Sequence, residues 1–102
     1  MLETFTALAE PNRLRIIELL RDGPRPVGEI GTRLQLRQPQ TSKHLRVLKE
    51  AGLVVVHRDA QRRLYELQPQ SLLQLDAWLE PYRKYWSERL DALESLFRND
   101  EE

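Results

Sequence analysis

The chain contains no cysteine, which removes at once a disulfide framework, a thiolate metal site and a cysteine nucleophile. Its two histidines, His44 and His57, have no partner at metal-ligand spacing, and no HExxH or EF-hand pattern occurs. Four glycines are too few and too scattered to build a phosphate-cradling loop. Ser42 and His44 stand two apart, so a helix points them in widely different directions, and no third group orients either. No enzyme, no cofactor and no metal are therefore expected. No apolar run reaches membrane-spanning length, and Glu3 and Glu10 stand where a leader would be basic and then apolar. The expectation is a cytoplasmic protein.

What is present suits one domain, or a domain plus a terminal helix: 102 residues, 40% hydrophobic and 31% charged. The net charge of zero hides an asymmetry. Residues 1–70 hold 12 Lys/Arg against 8 Asp/Glu, and residues 71–102 hold 4 against 8. The first part thus suits a polyanion partner.

Apolar spacing sets the elements. Residues 2–9 read as a short helix with Leu2, Phe5, Leu8 and Ala9 on one side. Asn12 to Arg21 reads as a second, facing Leu14, Ile17 and Leu20 inward, and Asp22-Gly23-Pro24 stops it. Val27 to Leu34 reads as a third, weakened by Gly28 and Gly31 at about 1 kcal/mol each. Gln35-Leu36-Arg37 then leads into a fourth, which ends at Gly52. Pro39 fits its first turn. This is a helix-turn-helix pattern.

The fourth helix puts Thr41, Leu45 and Leu48 on one face and turns Lys43 and Arg46 away, flanked by Gln40 and Ser42. Amide, hydroxyl and cationic groups on one helix face can read base edges and hold phosphates in a major groove. The same wheel also describes an ordinary solvated amphipathic helix. Beyond Gly52 the period changes: Leu53–Arg58 and Arg62–Leu67 read as strands joined through Asp59-Ala60-Gln61, with Arg63, Tyr65 and Leu67 on one face. A hairpin behind a helix-turn-helix is a wing, and Arg58, Arg62 and Arg63 at its tip can reach phosphates or a minor groove. Residues 30–66 carry 8 Lys/Arg (Arg33, Arg37, Lys43, Arg46, Lys49, Arg58, Arg62, Arg63) against Glu50, Asp59 and Glu66. Tyr65 is the only aromatic there, so the stretch cannot stack unpaired bases, and duplex DNA is the expected target.

After a linker, Gln68–Ser71, with Ser71 as an expected N-cap, the pattern is helical from Leu72 to about Phe97. Leu72, Leu75, Leu79, Tyr82, Trp86, Leu90, Leu93 and Phe97 recur at alternating threes and fours with one offset, close to a coiled-coil seam. Pro81 predicts a kink or two consecutive helices. So long an apolar face, with Trp78 and Trp86, exceeds what a small core can cover and predicts a homodimer. The aromatic group Trp78, Tyr82, Tyr85 and Trp86 reads as dimer core, and is also where a small-molecule inducer would bind if one exists.

The segments ALAEPNRLRIIELL, QPQTSKHLRVLKEAGLV and RRLYEL resemble the ArsR/SmtB family of bacterial winged-helix transcriptional repressors, over about Ala7 to Leu67. The run Gln38-Pro39-x-x-Ser42-Lys43-His44-Leu45 carries most of that resemblance, and the tail WLEPYRKYWSERLDALE is similar to a subgroup without metal sites. The resemblance implies a homodimer through the first and last helices, an operator that is an imperfect palindrome, repression of the chain's own promoter and release by an inducer. By position it gives Gln38, Gln40, Thr41, Ser42, Lys43 and His44 as DNA contacts, with Arg37 and Arg46 beside them and Arg58, Arg62 and Arg63 in the wing; Thr41 lies on the inward stripe, and His44 flanks that stripe, with helix packing as the alternative to a phosphate contact. Arg25-Pro26-Val27 stands where the family's thiolate motif falls, and Asp76 lacks the histidine of its last-helix site, so neither metal site is expected. Gln35 replaces the usual turn glycine, Arg37 the usual hydroxyl cap, and the wing turn has no glycine.

The expected architecture is α+β, mostly α. A winged helix-turn-helix core over 11–67 joins an N-terminal helix (1–10) and a long C-terminal dimerisation helix (71–98), with Leu2, Phe5, Leu79, Tyr82, Trp86, Leu90, Leu93 and Phe97 at the interface. The expected function is metal-independent, autoregulatory repression. The alternative is a winged helix that uses these surfaces for protein partners.

Overall fold

A computed structural model describes residues 1–101. Five helices and three strands follow in the order α1 (Leu2–Leu8), α2 (Pro11–Leu20), β1 (Arg25–Pro26), α3 (Val27–Leu34), α4 (Gln38–Glu50), β2 (Val54–Asp59), β3 (Arg62–Leu67) and α5 (Pro69–Glu101). The sheet is antiparallel, ordered β1-β3-β2. Among the described residues no helix is long and apolar enough to cross a membrane.

Ile16, Ile17 and Leu20 of α2, Ile30 of α3, Leu45 and Leu48 of α4, and Leu53 and Val54 form the core, with Ala7 closing it from α1. The α4 stripe is buried as its spacing predicts. In α2 the inward set differs: Ile16 is fully buried, whereas Leu14 is 43% exposed. In α1 the covered positions are Thr4 and Ala7, while Leu2 and Phe5 stay outside. A seven-residue helix laid flat on a core buries little: Leu8 packs partly against the core, Phe5 lies against Trp78 of α5 and Leu2 stays open.

Helix ends repeat one device. Leu53 N–H donates to the Leu48 carbonyl (2.9 Å) and Gly52 N–H to that of Lys49 (3.0 Å), with Gly52 left-handed at φ 77°. At the end of α3 the same two bonds run from Leu36 to Gly31 (2.9 Å) and from Gln35 to Thr32 (3.3 Å), with Gln35 at φ 58°. The turn therefore keeps its glycine geometry with a glutamine in the left-handed position. Gly31 has a different reason to be glycine: a Cβ there would stand 3.1 Å from Thr41 Oγ1 and 3.2 Å from the Leu36 carbonyl. Its bare backbone lets α3 and α4 cross closely.

Strand β1 has no apolar run to announce it. Arg25 precedes Pro26, which forces its backbone toward the extended region, and Arg25 and Pro26 pair with Tyr65 and Leu64. The wing pairs Asp59 with Arg62, so its turn is the two residues Ala60 and Gln61, with Ala60 left-handed at φ 57°. Strand β2 starts one residue later than expected because Leu53 completes the end of α4. Ser71 is not an N-cap. Helix α5 begins at Pro69, and the Ser71 hydroxyl donates to the carbonyls of Gly52 (2.9 Å) and Ala51 (3.3 Å), tying α5 to the end of α4.

Helix α5 is one element of 33 residues that runs through Pro81 rather than two helices. Pro81 offers no N–H to the Ala77 carbonyl, but Ala77 is exposed, so water can satisfy it. At 1.5 Å per residue the helix is about 50 Å long. It accounts for principal extents of 64 × 26 × 23 Å and a radius of gyration of 18.6 Å. A compact chain of this length has a radius of about 13 Å.

Candidate nucleic-acid interface

Burying Thr41, Leu45 and Leu48 fixes the rotation of α4 and presents Gln38, Gln40, Ser42, Lys43, Arg46 and Lys49 to solvent. Residues 38, 42, 46 and 49 run along the outer face at spacings of four, four and three. Lys43 lies beside them. Lys49, counted above only in the basic balance, belongs to this face.

Two candidate contacts are set back from that face. Thr41 is fully buried, donating its hydroxyl to the Arg37 carbonyl (3.0 Å) against Gly31. It cannot reach DNA. His44 is half-buried, with Nδ1 directed toward Glu10 Oε2 at 3.7 Å rather than outward. Gln40 is partly occupied, because its Oε1 accepts from Arg37 N–H at 3.3 Å and leaves its amide N–H groups outward. That bond is the reciprocal half of a capping box; the other half, acceptance from the N3 N–H by an N-cap hydroxyl, is not replaced, since a guanidinium has no acceptor. The Arg37 side chain is exposed at the helix start.

In the wing, Val54, Val56 and Arg58 share one sheet face with Leu67, Tyr65 and Arg63. Tyr65 and Leu67 pack on the core, so Arg58 and Arg63 continue the core-facing side past the helical body. They are directly opposite each other. Like charges so placed repel, by roughly 0.2–1 kcal/mol, unless an anion lies between them. Arg62 projects from the other face and pairs with Asp59 at 3.6 Å. His57 and Glu66 also meet on that outer face, at 2.5 Å.

Part of the basic set is held in ion pairs. Arg25 and Arg33 share Glu29 (2.5 and 3.7 Å), and Arg98 pairs with Glu94 (2.6 Å). Arg83 holds Asp76 and also Glu80 (3.1 Å); the Asp76 hydrogen bond is the main reason its guanidinium is pushed further toward the charged form. Among the described residues Arg37, Lys43, Arg46, Lys49, Arg58 and Arg63 take part in no ion pair. These six lie along α4 and the wing; Arg13, Arg15 and Arg21 along α2 and its end, and Lys84 and Arg89 on α5, are likewise in no ion pair among the described residues. No group of three His, Asp or Glu among the described residues stands close enough to share a metal ion.

The uncovered apolar surface is elsewhere, on α1 and α5. Phe5 meets Trp78 edge to face (centroids 5.4 Å apart), and Trp78 lies 5.0 Å from Tyr82. Leu79 is half-buried, whereas Leu2, Tyr82, Trp86, Leu90, Leu93 and Phe97 are exposed, the last at 62%.

Residues 8–57 match a helix-turn-helix domain family. The chain is 36% identical over 96 residues to the HTH-type transcriptional regulator Rv2034 of Mycobacterium tuberculosis, spanning 94% of this chain and 87% of that protein. It is 32% identical to the transcriptional repressor SdpR of Bacillus subtilis, over 78% of this chain and 88% of the relative. A solved homodimeric winged helix-turn-helix DNA-binding domain from Mycobacterium bovis, described as a possible ArsR-family transcriptional regulator, superposes with a TM-score of 0.66 at 30% identity, covering 80% of this chain and 76% of that one. These relatives are bacterial regulators of transcription, not enzymes. On these matches, and with a buried α4 stripe, a basic outer face and a β2-β3 wing, the chain belongs to the ArsR/SmtB family of winged helix-turn-helix transcriptional regulators.

Proposed function

We propose that the chain is a homodimeric repressor that binds an imperfect palindrome in duplex DNA, its own promoter included, and responds without a metal. The observation that carries this reading is the gathering of unpaired cations on α4 (Lys43, Arg46, Lys49) and the wing (Arg58, Arg63). Each α4 occupies a major groove, with Gln38, Gln40, Ser42, Lys43 and Arg46 toward base edges and phosphates. Arg58, Arg62 and Arg63 follow the adjacent backbone. Residues 11–67 form this DNA-binding unit, and 1–10 with 71–98 the dimer layer. The repressor name of SdpR and the homodimeric Mycobacterium bovis domain favour the same reading. Metal independence rests on the missing cysteines and on Asp76, which Arg83 engages.

Two-fold symmetry sets the half-sites about one helical turn, or a multiple of it, apart. The test is titration of the protein into labelled DNA from upstream of its own gene, against scrambled DNA, at two salt concentrations. Preference for the upstream fragment, weakening steeply with salt, is expected. Equal binding to both fragments would remove autoregulation, and salt-insensitive binding would remove the phosphate contacts.

A further inference from the structure

One polar contact joins the helix that reads DNA to the helices that precede it. Arg13, in the first turn of α2, donates from Nε to the Ala7 carbonyl (2.7 Å) and from Nη2 to that of Thr6 (3.3 Å), so it holds the end of α1. Glu10 caps α2 by accepting from Arg13 N–H at 2.9 Å. Its carboxylate is therefore set by backbone and cannot swing freely. The same oxygen, Oε2, faces His44 Nδ1 of α4 at 3.7 Å. Among the described residues, no other side-chain hydrogen bond or ion pair links α4 to α1 or α2.

His44 Nδ1 is buried and has no hydrogen-bond partner. Buried polar atoms are seldom left so, and 3.7 Å is too long for a hydrogen bond. With a lone pair on Nδ1, two acceptors would confront each other, with Nδ1 itself out of reach of water. With a proton there, a donor faces an anionic acceptor and needs about 1 Å of approach to close. Gln40 and Ser42 are fixed to the same helix, so whatever sets α4 against Glu10 also sets the face that reads DNA.

We propose that His44 is a positioning residue for DNA binding: with its proton on Nδ1 toward Glu10, it fixes the recognition helix to the α1–α2 junction. The contact makes the α1 layer and the reading face of α4 move together, although His44 itself never touches DNA. The inference rests on the assignment of the outer face of α4 to DNA, and its test separates the two.

Asparagine offers an amide N–H near the place of Nδ1, whereas glutamine reaches toward Nε2 instead. His44→Asn should keep operator affinity within about twofold and His44→Gln should weaken it by about tenfold, the scale of one charge-assisted hydrogen bond. Both variants should keep the native oligomeric state and helical circular dichroism. Long-range nitrogen–proton spectra of the unmodified protein should find the proton on Nδ1. Equal affinities for the two variants, or a neutral ring protonated only on Nε2, would overturn the proposal. If the unmodified protein prefers no DNA, the assignment of α4 fails by itself, and the ring spectrum still decides whether His44 is paired with Glu10.

Discussion

Arg58 and Arg63 show how a residue can be placed against its own stability. Cross-strand neighbours of like charge repel, and among the described residues neither is in an ion pair. Arg62, one position away, has Asp59 for company. Arg63→Ala should therefore weaken binding to upstream DNA and lower the salt slope by about one counterion while leaving the thermal midpoint level or slightly raised. Fluorescence anisotropy against salt, with a melting curve, reads both. Lys43→Ala and Arg62→Ala should also weaken binding with the dimer intact, Arg62→Ala the less because Asp59 already offsets part of its charge. A monomeric Lys43→Ala or Arg62→Ala protein with native affinity would reverse the roles given to α4 and α5. The sequence made these cations visible as a count, but not the pairing that separates Arg62 from Arg63.

Among the elements, α3 and α4 depend on how closely two backbones can pass. Gly31 and Gly28 look alike in the sequence, as two helix-weakening glycines three apart, yet they differ in role. A Cβ on Gly28 meets nothing within 4 Å, whereas one on Gly31 presses on a backbone carbonyl and on Thr41. Gly28→Ala should stabilise by about 0.5–1 kcal/mol through helix propensity. Gly31→Ala should destabilise by roughly 1–3 kcal/mol despite the same propensity gain, because the Leu36 carbonyl cannot yield without opening the turn. Urea denaturation of both variants checks the opposite signs. Gln35, left-handed at φ 58°, adds a third case: Gln35→Gly should stabilise by about 0.5–1 kcal/mol, since glycine carries no Cβ penalty there. Strand β1 was illegible for a related reason, because two extended residues around a proline become a strand only when β3 lies beside them.

The whole molecule is set by its uncovered surface. Helix α5 projects well beyond the winged helix and carries leucines and a phenylalanine that no part of its own subunit covers. Leu93→Glu together with Phe97→Glu should shift the protein to monomer in light scattering and weaken operator binding by an order of magnitude or more, through loss of two-site avidity. The circular dichroism of the winged helix should survive, because neither residue belongs to its core. A dimer that persisted would move the interface to α1 and the first half of α5.

Periodicity in the sequence determined the helices α1 to α4, the wing, the long last helix and the face of α4 that turns inward. Each of these follows from local spacing, which a single chain carries in full. Gly52 and the resemblance of Gln38 to Leu45 determined where the reading helix ends and what it resembles. Tertiary structure alone decided that His44 Nδ1 faces Glu10, that Ser71 ties α5 to α4 instead of starting a helix, and that Gly31 is needed while Gly28 is not. Those outcomes depend on what another element brings within 3 to 4 Å, and residues far apart in the chain announce no such distance.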